Sequence, residues 1–239
     1  MDGERPSLAV VVAAAGHGTR LGLDLPKQYA PLLGIPMLQR TLSVLSTCEW
    51  VDALVVVVSE MDVEYCEEEI RLEHIERVER VVAGGEKRPL SVRNGILALA
   101  QLGTWDLIGI HDGARPLVRC QDIGRVVETL GNDSSLDGAV LGIPSVDTVK
   151  IVDDSGLIVS TPRRGTLWQA QTPQIFRWRV LVDTYAQPDD VLLGATDDAS
   201  LVEARGGRVV VVEGSPENFK ITNMMDLRHA EQILADRRQ

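Results

Sequence analysis

The apolar run Leu8–Ala13 limits the possible folds more than any other part of the sequence. It is continuous, rich in valine, and followed at once by a glycine-bearing loop. A strand that is apolar on both faces is typical of a parallel sheet covered by helices on each side. The run therefore predicts the first strand of an α/β fold.

Apolar runs alternate with helical patterns along most of the remaining chain. Strands are predicted at residues 8–13, 53–58, 78–82, 107–111, 138–143 and 209–212. Helices are predicted at residues 36–46, 62–72, 89–100, 121–130, 180–185, 199–204 and 224–235. This order predicts a Rossmann-like, mostly parallel sheet with helices on both faces, built as a single domain over residues 1–239.

The alternation breaks at residues 144–165. Two short strand-forming runs, residues 148–152 and 157–159, flank the turn sequence Asp-Asp-Ser-Gly at residues 153–156. This pattern is typical of a β-hairpin. We therefore expect an arm that protrudes from the sheet.

The charge balance excludes several classes of partner. The chain has 24 lysine and arginine residues against 35 aspartate and glutamate residues, a formal net charge of −11. Such a charge disfavours nonspecific binding to nucleic acid or anionic lipid, so a phosphate site must be built locally. Residues 1–7 lack the apolar region of a signal peptide, and no window approaches the roughly 18 apolar residues of a membrane span. We expect a cytoplasmic protein with no membrane partner.

The three cysteines, Cys48, Cys66 and Cys120, lie far apart in the sequence. Their number is odd and their spacing is not that of paired metal ligands, which argues against a disulfide framework or a zinc site. The sequence therefore predicts reduced thiols.

The loop after the first strand has glycines and cations but neither of the two common phosphate-loop patterns. A dinucleotide fingerprint needs glycine where Leu21 stands, and the Gly-Lys-Ser/Thr of a P-loop is absent. The loop instead supplies Gly16, Gly18 and Arg20, with Lys27 shortly after. Exposed backbone donors and two cations at the carboxyl edge of a sheet can hold a triphosphate.

An acidic residue, Asp112, follows the predicted strand 107–111 and faces the same edge of the sheet. Mg2+ is commonly held by one or two carboxylates and by phosphate oxygens of the substrate, which suits Asp112. A purely structural Asp112 paired with Arg115 is the alternative. For His111 we expect a packing role, because no nucleophile pattern accompanies it.

The motif Ala-Ala-Ala-Gly-His-Gly-Thr-Arg at residues 13–20, with Pro-Lys-Gln at 26–28, resembles the signature loop of 2-C-methyl-D-erythritol 4-phosphate cytidylyltransferases. Further similar stretches follow in order at residues 84–92, 110–116, 163–174, 194–200 and 218–222. The resemblance implies transfer of CMP from CTP to 2-C-methyl-D-erythritol 4-phosphate with Mg2+ or another divalent cation, giving CDP-methylerythritol and pyrophosphate.

The resemblance also implies roles for individual residues. Nucleotide binding is implied for Ala14, Ala15, Gly16, Gly18, Gly85, Glu86, Ser91 and Gly113. Catalytic roles are implied for Arg20, Lys27 and Lys220, and metal binding for Asp112. Substrate binding is implied for Thr148, Arg164, Thr172 and Thr196. Glu86 stands where the family often has aspartate, and Gly113 where it usually has alanine. Ser91 as a first-turn helix residue, and Asp197 and Asp198 as helix caps, remain structural alternatives.

The arm resembles the family's arm, which crosses to a second subunit and helps to complete the partner's sugar-phosphate site. A homodimer is therefore expected. D-ribitol 5-phosphate cytidylyltransferases share the fold and most of these residues, so that activity stays open. A non-catalytic nucleotide-binding protein is a more distant alternative, disfavoured because the cations and Asp112 are all present.

Overall fold

The computed structural model describes residues 5–16 and 26–237 of the chain. Its strands are β1 (Leu8–Ala13), β2 (Pro31–Leu32), β3 (Ile35–Pro36), β4 (Ala53–Val58), β5 (Val78–Ala83), β6 (Leu107–Asp112), β7 (Gly138–Pro144), β8 (Ile151–Val152), β9 (Ile158–Ser160), β10 (Trp168–Arg177) and β11 (Val209–Glu213). Its helices are α1 (Met37–Thr47), α2 (Val63–Leu72), α3 (Arg88–Leu102), α4 (Cys120–Asn132), α5 (Trp178–Tyr185), α6 (Asp189–Leu193), α7 (Asp198–Ala204) and α8 (Met224–Asp236).

The central sheet of the described chain has seven strands in the order β11-β7-β10-β6-β1-β4-β5. Strand β1 pairs in parallel with β4 and β6, β4 pairs in parallel with β5, and β7 with β11. Strand β10 alone runs antiparallel in this sheet, between β6 and β7. The mostly parallel sheet is as predicted.

Successive residues of β1 point into two different cores. Leu8, Val10 and Val12 belong to the core on one face, which also contains side chains of α1 and α4. Ala9 and Val11 belong to the core on the other face, which is filled from α3, α5 and α7. Because both faces are covered, the strand is apolar at every position. This explains why the sequence predicted β1 and β4 with their observed bounds.

Strand β10 is the main element that the sequence did not predict. The predicted arm ended at residue 165, and no strand was predicted at residues 168–177, which include Gln171, Pro173 and Gln174, residues unusual in a central strand. The structure places Pro173 after a cis peptide bond, within the stretch where the pairing with β7 shifts register. An irregular stretch of strand tolerates proline, which cannot donate to the ladder. Strands β2 and β3 and helix α6 were also not predicted.

The predicted arm is present as the antiparallel pair β8 and β9, although its strands are shorter than expected. Its apolar side chains are exposed rather than buried: Ile151, Val152, Leu157, Ile158 and Val159 each expose half or more of their surface. No described helix of the protein is both long enough and apolar enough to span a bilayer.

The expectation of three reduced thiols is wrong for two of the cysteines. Cys48, just after α1, forms a disulfide with Cys120, the first residue of α4, and their Cα atoms are 5.2 Å apart. These helices cover the same face of the sheet, so residues distant in sequence meet. Cys66 is a buried free thiol, and burial raises its pKa to about 12.

The packing of α3 on β1 depends on the absence of a side chain at Gly95. A Cβ there would overlap Val11 Cγ1 and lie 2.9 Å from Val57 Cγ2. We expect Gly95→Ala to lower the free energy of unfolding by about 1–3 kcal/mol, even though alanine favours helix. Urea denaturation measures this change.

Gly131→Ala in α4 is the matched control, because a Cβ at Gly131 would meet nothing within 4 Å. It should raise the free energy of unfolding by about 0.5–1 kcal/mol through helix propensity alone. Equal effects of the two substitutions would contradict the close contact between α3 and β1.

Candidate active site

A cleft of about 650 Å³ lies where β1 and β6 end and α3 begins. Parallel strands present their carboxyl ends at one edge of the sheet, where open α/β folds bind their ligands. The cleft brings together many of the predicted site residues, namely Ala14, Ala15, Gly16, Lys27, Gly85, Glu86, Ser91, Asp112, Gly113 and Lys220. Segments from both ends of the sequence thus meet at one place.

Two predicted residues of the glycine loop, Gly18 and Arg20, lie outside the described residues. The described part of the loop leaves β1 at Ala14, whose backbone N–H donates to Val57 O at 2.7 Å. Gly16 then lines the cleft, and a Cβ built on it would meet nothing within 4 Å. The loop is therefore anchored to the sheet at its first residue and open toward the cleft two residues later.

The turn before α3 is held by the hydroxyl of Ser91. Its Oγ accepts from the Gly85 N–H at 3.1 Å and lies 3.2 Å from the Lys87 carbonyl oxygen, to which it donates. A Cβ on Gly84 would lie 2.8 Å from Ser91 Oγ, so the close approach requires glycine. Ser91 thus lies in the first turn of α3 and shapes the turn before it, while its contact with the nucleotide stays a prediction. Glu86 is exposed at the cleft.

Both predicted lysines of the described chain are fixed near the same segment. Lys27 Nζ donates to the Ile221 carbonyl oxygen at 2.7 Å, and the Ile221 N–H donates to the Ala114 carbonyl oxygen at 2.9 Å. Lys220 Nζ lies 2.9 Å from Asp112 Oδ2. These contacts hold two ammonium groups beside the end of β6.

Asp112, the last residue of β6, is surrounded by three cationic side chains. Its Oδ2 lies 2.9 Å from Lys220 Nζ and 3.6 Å from Arg115 Nε, while Oδ1 lies 3.4 Å from Arg88 Nε. Burial alone would raise the pKa of the Asp112 carboxyl, but Arg88, Lys220 and Arg115 outweigh it and hold that pKa well below its usual range. Asp112 is therefore ionised at neutral pH. The pairing with Arg115 that the sequence left open is present.

The donors available for a metal ion are few. No group of three or more His, Cys, Asp or Glu side chains in the described residues is placed to hold one. A magnesium ion bound with a nucleotide needs fewer protein ligands, because phosphate oxygens and water complete its shell. An ionised carboxylate at the cleft fits such a site. Asp112 Oδ1 has one side-chain contact in the described structure, the long one to Arg88.

His111 is fully buried between Thr172 and the backbone of Arg115. Its Nε2 lies 3.2 Å from the Arg115 carbonyl oxygen, which can only accept, so we assign the proton to Nε2. The Thr172 hydroxyl then donates to Nδ1 at 3.0 Å while accepting from the Asp112 N–H at 3.0 Å. Burial lowers the pKa of His111 to about 4. A neutral, packed His111 agrees with the prediction.

Comparison with known proteins decides the family. The sequence model of the 2-C-methyl-D-erythritol 4-phosphate cytidylyltransferase family, IspD, matches residues 8–236. A relative with that name from Geobacter metallireducens is 41% identical over 229 residues, which cover 95% of this chain and 97% of that protein. This chain belongs to the 2-C-methyl-D-erythritol 4-phosphate cytidylyltransferase family.

Solved structures agree with this membership of the cytidylyltransferase family. A crystal structure of 4-diphosphocytidyl-2C-methyl-D-erythritol synthase from Anaerococcus prevotii has a TM-score of 0.80 at 28% identity and covers 96% of both chains. The 2-C-methyl-D-erythritol 4-phosphate cytidylyltransferase of Francisella tularensis has a TM-score of 0.78 at 30% identity, covering 95% of this chain and 99% of that one. The predicted family and the predicted Rossmann-like fold are both confirmed.

The residues predicted to bind the second substrate of the cytidylyltransferase do not line the cleft of the described structure. Thr148 and Arg164 are exposed on the arm segment, where Arg164 Nη1 donates to the Val146 carbonyl oxygen at 3.3 Å. Thr196 is exposed in the turn before α7. Thr172 is buried, with its hydroxyl bonded to Asp112 and His111. Their contacts with substrate stay predictions.

Three residues for which the sequence predicted no functional role, Arg88, Asp198 and Tyr185, form a network at the cleft. Arg88, at the start of α3, contacts Asp112 and also the buried carboxylate of Asp198, which accepts a hydrogen bond from the Tyr185 hydroxyl. The sequence analysis left open that Asp197 and Asp198 cap a helix. Asp197 is indeed the N-cap of α7, whereas Asp198 is the first residue of that helix and not a cap. A cation at the start of a helix opposes the helix dipole, a signal that Arg88 has acidic partners.

The contacts of Thr172 predict a positioning role for its hydroxyl. Thr172→Val would leave the Asp112 N–H and His111 Nδ1 without their partner. We expect a loss of about 1–3 kcal/mol in the free energy of unfolding. Thr172→Ser keeps the hydroxyl and should keep most of the stability. Urea denaturation of both variants checks this, and equal stability of the two would contradict the hydrogen-bonded chain.

Proposed function

We propose that the protein transfers CMP from CTP to 2-C-methyl-D-erythritol 4-phosphate, releasing pyrophosphate. The observation that carries the proposal is the cleft itself. In a chain of the cytidylyltransferase family, it joins the glycine loop, two lysines and an ionised aspartate at the carboxyl edge of the sheet. We further propose that residues 1–239 act as one nucleotidyltransferase domain. Its location in the cytoplasm stays a prediction.

The phosphate of the acceptor is the nucleophile and attacks the α-phosphorus of CTP in line. A phosphate monoester is already ionised near neutral pH, so the reaction needs no general base. His111 is neutral, buried and bonded through both ring nitrogens, which suits a site without proton transfer at that position. The chain's contribution is to align two anions and to stabilise the charge on the transferring group.

Three cationic side chains are assigned to the phosphates of CTP. Lys27 and Lys220 lie at the cleft and suit the α-phosphate and the leaving pyrophosphate. We assign Arg20 to the same cluster from the sequence alone. Backbone N–H groups of Ala15 and Gly16 are the donors proposed for the triphosphate, because a backbone without bulky side chains lets phosphate oxygens approach. Ala14 lines the same part of the cleft, and its own N–H, bonded to Val57 O, fixes the start of the loop.

The cytosine base is assigned to the turn before α3. Gly85, Glu86 and Ser91 belong to that turn, and Gly113 lies across the cleft on the chain leaving β6. Gly113 is packed closely, since a Cβ there would lie 3.0 Å from the Ala14 Cβ. The turn and Gly113 therefore give the base a site with fixed backbone edges, which is what discrimination between bases requires.

A divalent cation, Mg2+ or another, is proposed to bind Asp112 together with phosphate oxygens of CTP. When bound, it supplies positive charge that neutralises the phosphates during transfer. Lys220 and Arg115 fix the orientation of the Asp112 carboxylate through Oδ2.

We expect Mg2+-dependent pyrophosphate release from CTP with 2-C-methyl-D-erythritol 4-phosphate and none with D-ribitol 5-phosphate. A coupled pyrophosphate assay, with EDTA and with UTP or ATP replacing CTP, measures this. Release with ribitol phosphate alone would reject the acceptor while keeping the mechanism. No pyrophosphate release with either acceptor would favour a non-catalytic nucleotide-binding protein.

The exposed arm supports a homodimer in which each arm completes the partner's site. Apolar side chains of β8 and β9 are exposed, and solvent-exposed apolar patches of this kind often mark interfaces. Arg164 lies at the base of this arm, apart from the lining of its own chain's cleft in the described structure. We propose that Thr148 and Arg164 bind the acceptor phosphate in the partner's cleft.

Mixing two inactive variants tests this arrangement. Arg164→Ala lacks the arm cation, and Asp112→Asn lacks the carboxylate at the cleft. If Arg164 acts on the partner, one site of each mixed dimer has both groups. Co-expression of the two variants should then restore about a quarter of wild-type activity, because half the dimers are mixed and each has one complete site.

If Arg164 acts within its own chain, no combination of the two variants contains a complete site. Activity after co-expression should then stay at the level of the separate variants, which would overturn the shared site. Sedimentation of the wild-type protein provides the control, and a monomer at assay concentration would overturn the dimer itself.

A further inference from the structure

One guanidinium group, that of Arg88, lies between two carboxylates. Its Nη1 and Nη2 donate to Asp198 Oδ1 and Oδ2 at 3.2 Å and 2.8 Å. Its Nε lies 3.4 Å from Asp112 Oδ1. Arg88 is therefore shared between a residue of the cleft and a residue behind it.

The two carboxylates hold Arg88 unequally. The pair with Asp198 is bidentate, the geometry in which arginine binds a carboxylate most strongly. The contact with Asp112 is single and long. Asp198 is therefore the main partner of Arg88, and Asp112 receives only part of its charge.

Asp198 itself is rigidly placed. It is fully buried and is the first residue of α7, where the helix dipole favours a negative charge. The hydroxyl of Tyr185, also buried, donates to its Oδ1. A buried carboxylate held by a bidentate guanidinium and a hydroxyl has little freedom to move, so Asp198 is a fixed anchor for Arg88.

The two oxygens of Asp112 differ in what surrounds them. Lys220 Nζ lies 2.9 Å from Oδ2, and Arg115 Nε lies 3.6 Å from the same oxygen. Oδ1 has the long contact with Arg88 in the described structure. Of the two oxygens, Oδ1 is the one that a cation can reach by displacing the weaker contact.

We propose that Asp198 is a positioning residue that draws Arg88 away from Asp112 and so keeps Asp112 Oδ1 available to a divalent cation. Without the charge of Asp198, Arg88 would turn its two Nη groups or its Nε edge fully onto Asp112. A guanidinium paired in that way competes with the cation for the same oxygen. The inference rests on the proposed use of Asp112 in metal-dependent transfer from CTP.

The test measures how much Mg2+ the protein needs to bind CTP, with no acceptor present. Calorimetric titrations of CTP at a series of Mg2+ concentrations give the concentration at which half of the gain in affinity is reached. Asp198→Asn keeps the shape and removes the charge. We expect it to raise that concentration by about ten- to a hundredfold, the effect of one stronger charged hydrogen bond on Asp112.

A double variant separates competition from loosening of the structure. Adding Arg88→Gln to Asp198→Asn removes the competing guanidinium and also avoids leaving a buried cation without its partner. The Mg2+ requirement should return to within about threefold of the wild type, well below the single variant's shift. A double variant that needs as much Mg2+ as Asp198→Asn would overturn the proposal.

Two controls test whether the Mg2+ requirement also changes when another buried aspartate, or a neighbour of Asp198, is substituted. Asp122 is also buried in the first turn of a helix and is paired with Arg125 at 2.7 Å, but it does not line the described cleft. Asp122→Asn should lower stability and leave the Mg2+ requirement unchanged. Tyr185→Phe keeps the charge of Asp198 and should also leave it unchanged. A shift in either control as large as that of Asp198→Asn would contradict the specific role.

Turnover of the wild-type protein separates this inference from the proposed function. Wild-type turnover with an unchanged Mg2+ requirement in Asp198→Asn would reject the role of Asp198 alone. Absence of wild-type turnover together with absence of CTP binding would reject the proposed function on which the role depends.

Discussion

The ionised carboxylate of Asp112 is the interaction on which the site depends. A buried charge is strongly destabilising unless cations and hydrogen bonds compensate it. Here the compensation comes from Arg88 at the start of α3, Arg115 just after β6, and Lys220 near the end of the chain. The charge therefore ties together three segments that the sheet alone would not hold in register.

Strand β10 strengthens this assembly from the other side of β6. Thr172 accepts from the Asp112 N–H, and its own carbonyl oxygen accepts from Asn218 Nδ2 at 2.8 Å. The carbonyl oxygen of Asn218 in turn accepts from Arg115 Nη1 at 2.7 Å. A closed set of hydrogen bonds thus joins β6, β10 and the segment that contains Lys220. The antiparallel direction of β10 makes this possible, because its first half, which contains Thr172, lies at the carboxyl end of β6.

The sequence predicted the parts of the fold that local pattern determines. Strands β1 and β4 were predicted with their observed bounds because both faces of each are buried. Strand β10 was missed because its glutamines have tertiary partners: Gln174 Nε2 donates to Asp197, its Oε1 accepts from the Ala199 N–H, and Gln171 Nε2 donates to the Ser215 carbonyl oxygen. No local pattern contains such partners. The disulfide between Cys48 and Cys120 was missed for the same reason, since helix packing alone brings them together.

In the site, too, the sequence predicted features that depend on a short segment and missed contacts between residues far apart in the chain. The motifs at the glycine loop and at residues 84–92, 110–116 and 218–222 contribute residues to the cleft, because they follow a strand or precede a helix at one edge of the sheet. The motifs at residues 163–174 and 194–200 do not line the described cleft. No motif predicted the pairing of Arg88 with Asp198, which joins the start of α3 to the start of α7. Arg88 stood within a stretch assigned to the base, and Asp198 within one assigned to helix capping. A cation is unfavourable at the start of a helix, so the position of Arg88 at the start of α3 was the sequence signal that it has acidic partners.

The local arrangement of charge explains how an acidic protein can bind a triphosphate. The net charge of −11 repels anions at a distance, and at physiological ionic strength that field decays within about 8 Å. The cleft is lined by four cationic side chains, Lys27, Lys87, Arg88 and Lys220, and by two acidic ones, Glu86 and Asp112. Arg88 is divided between Asp112 and Asp198. The positive charge is thus concentrated where phosphate is transferred, and the buried acids hold it in place without cancelling it.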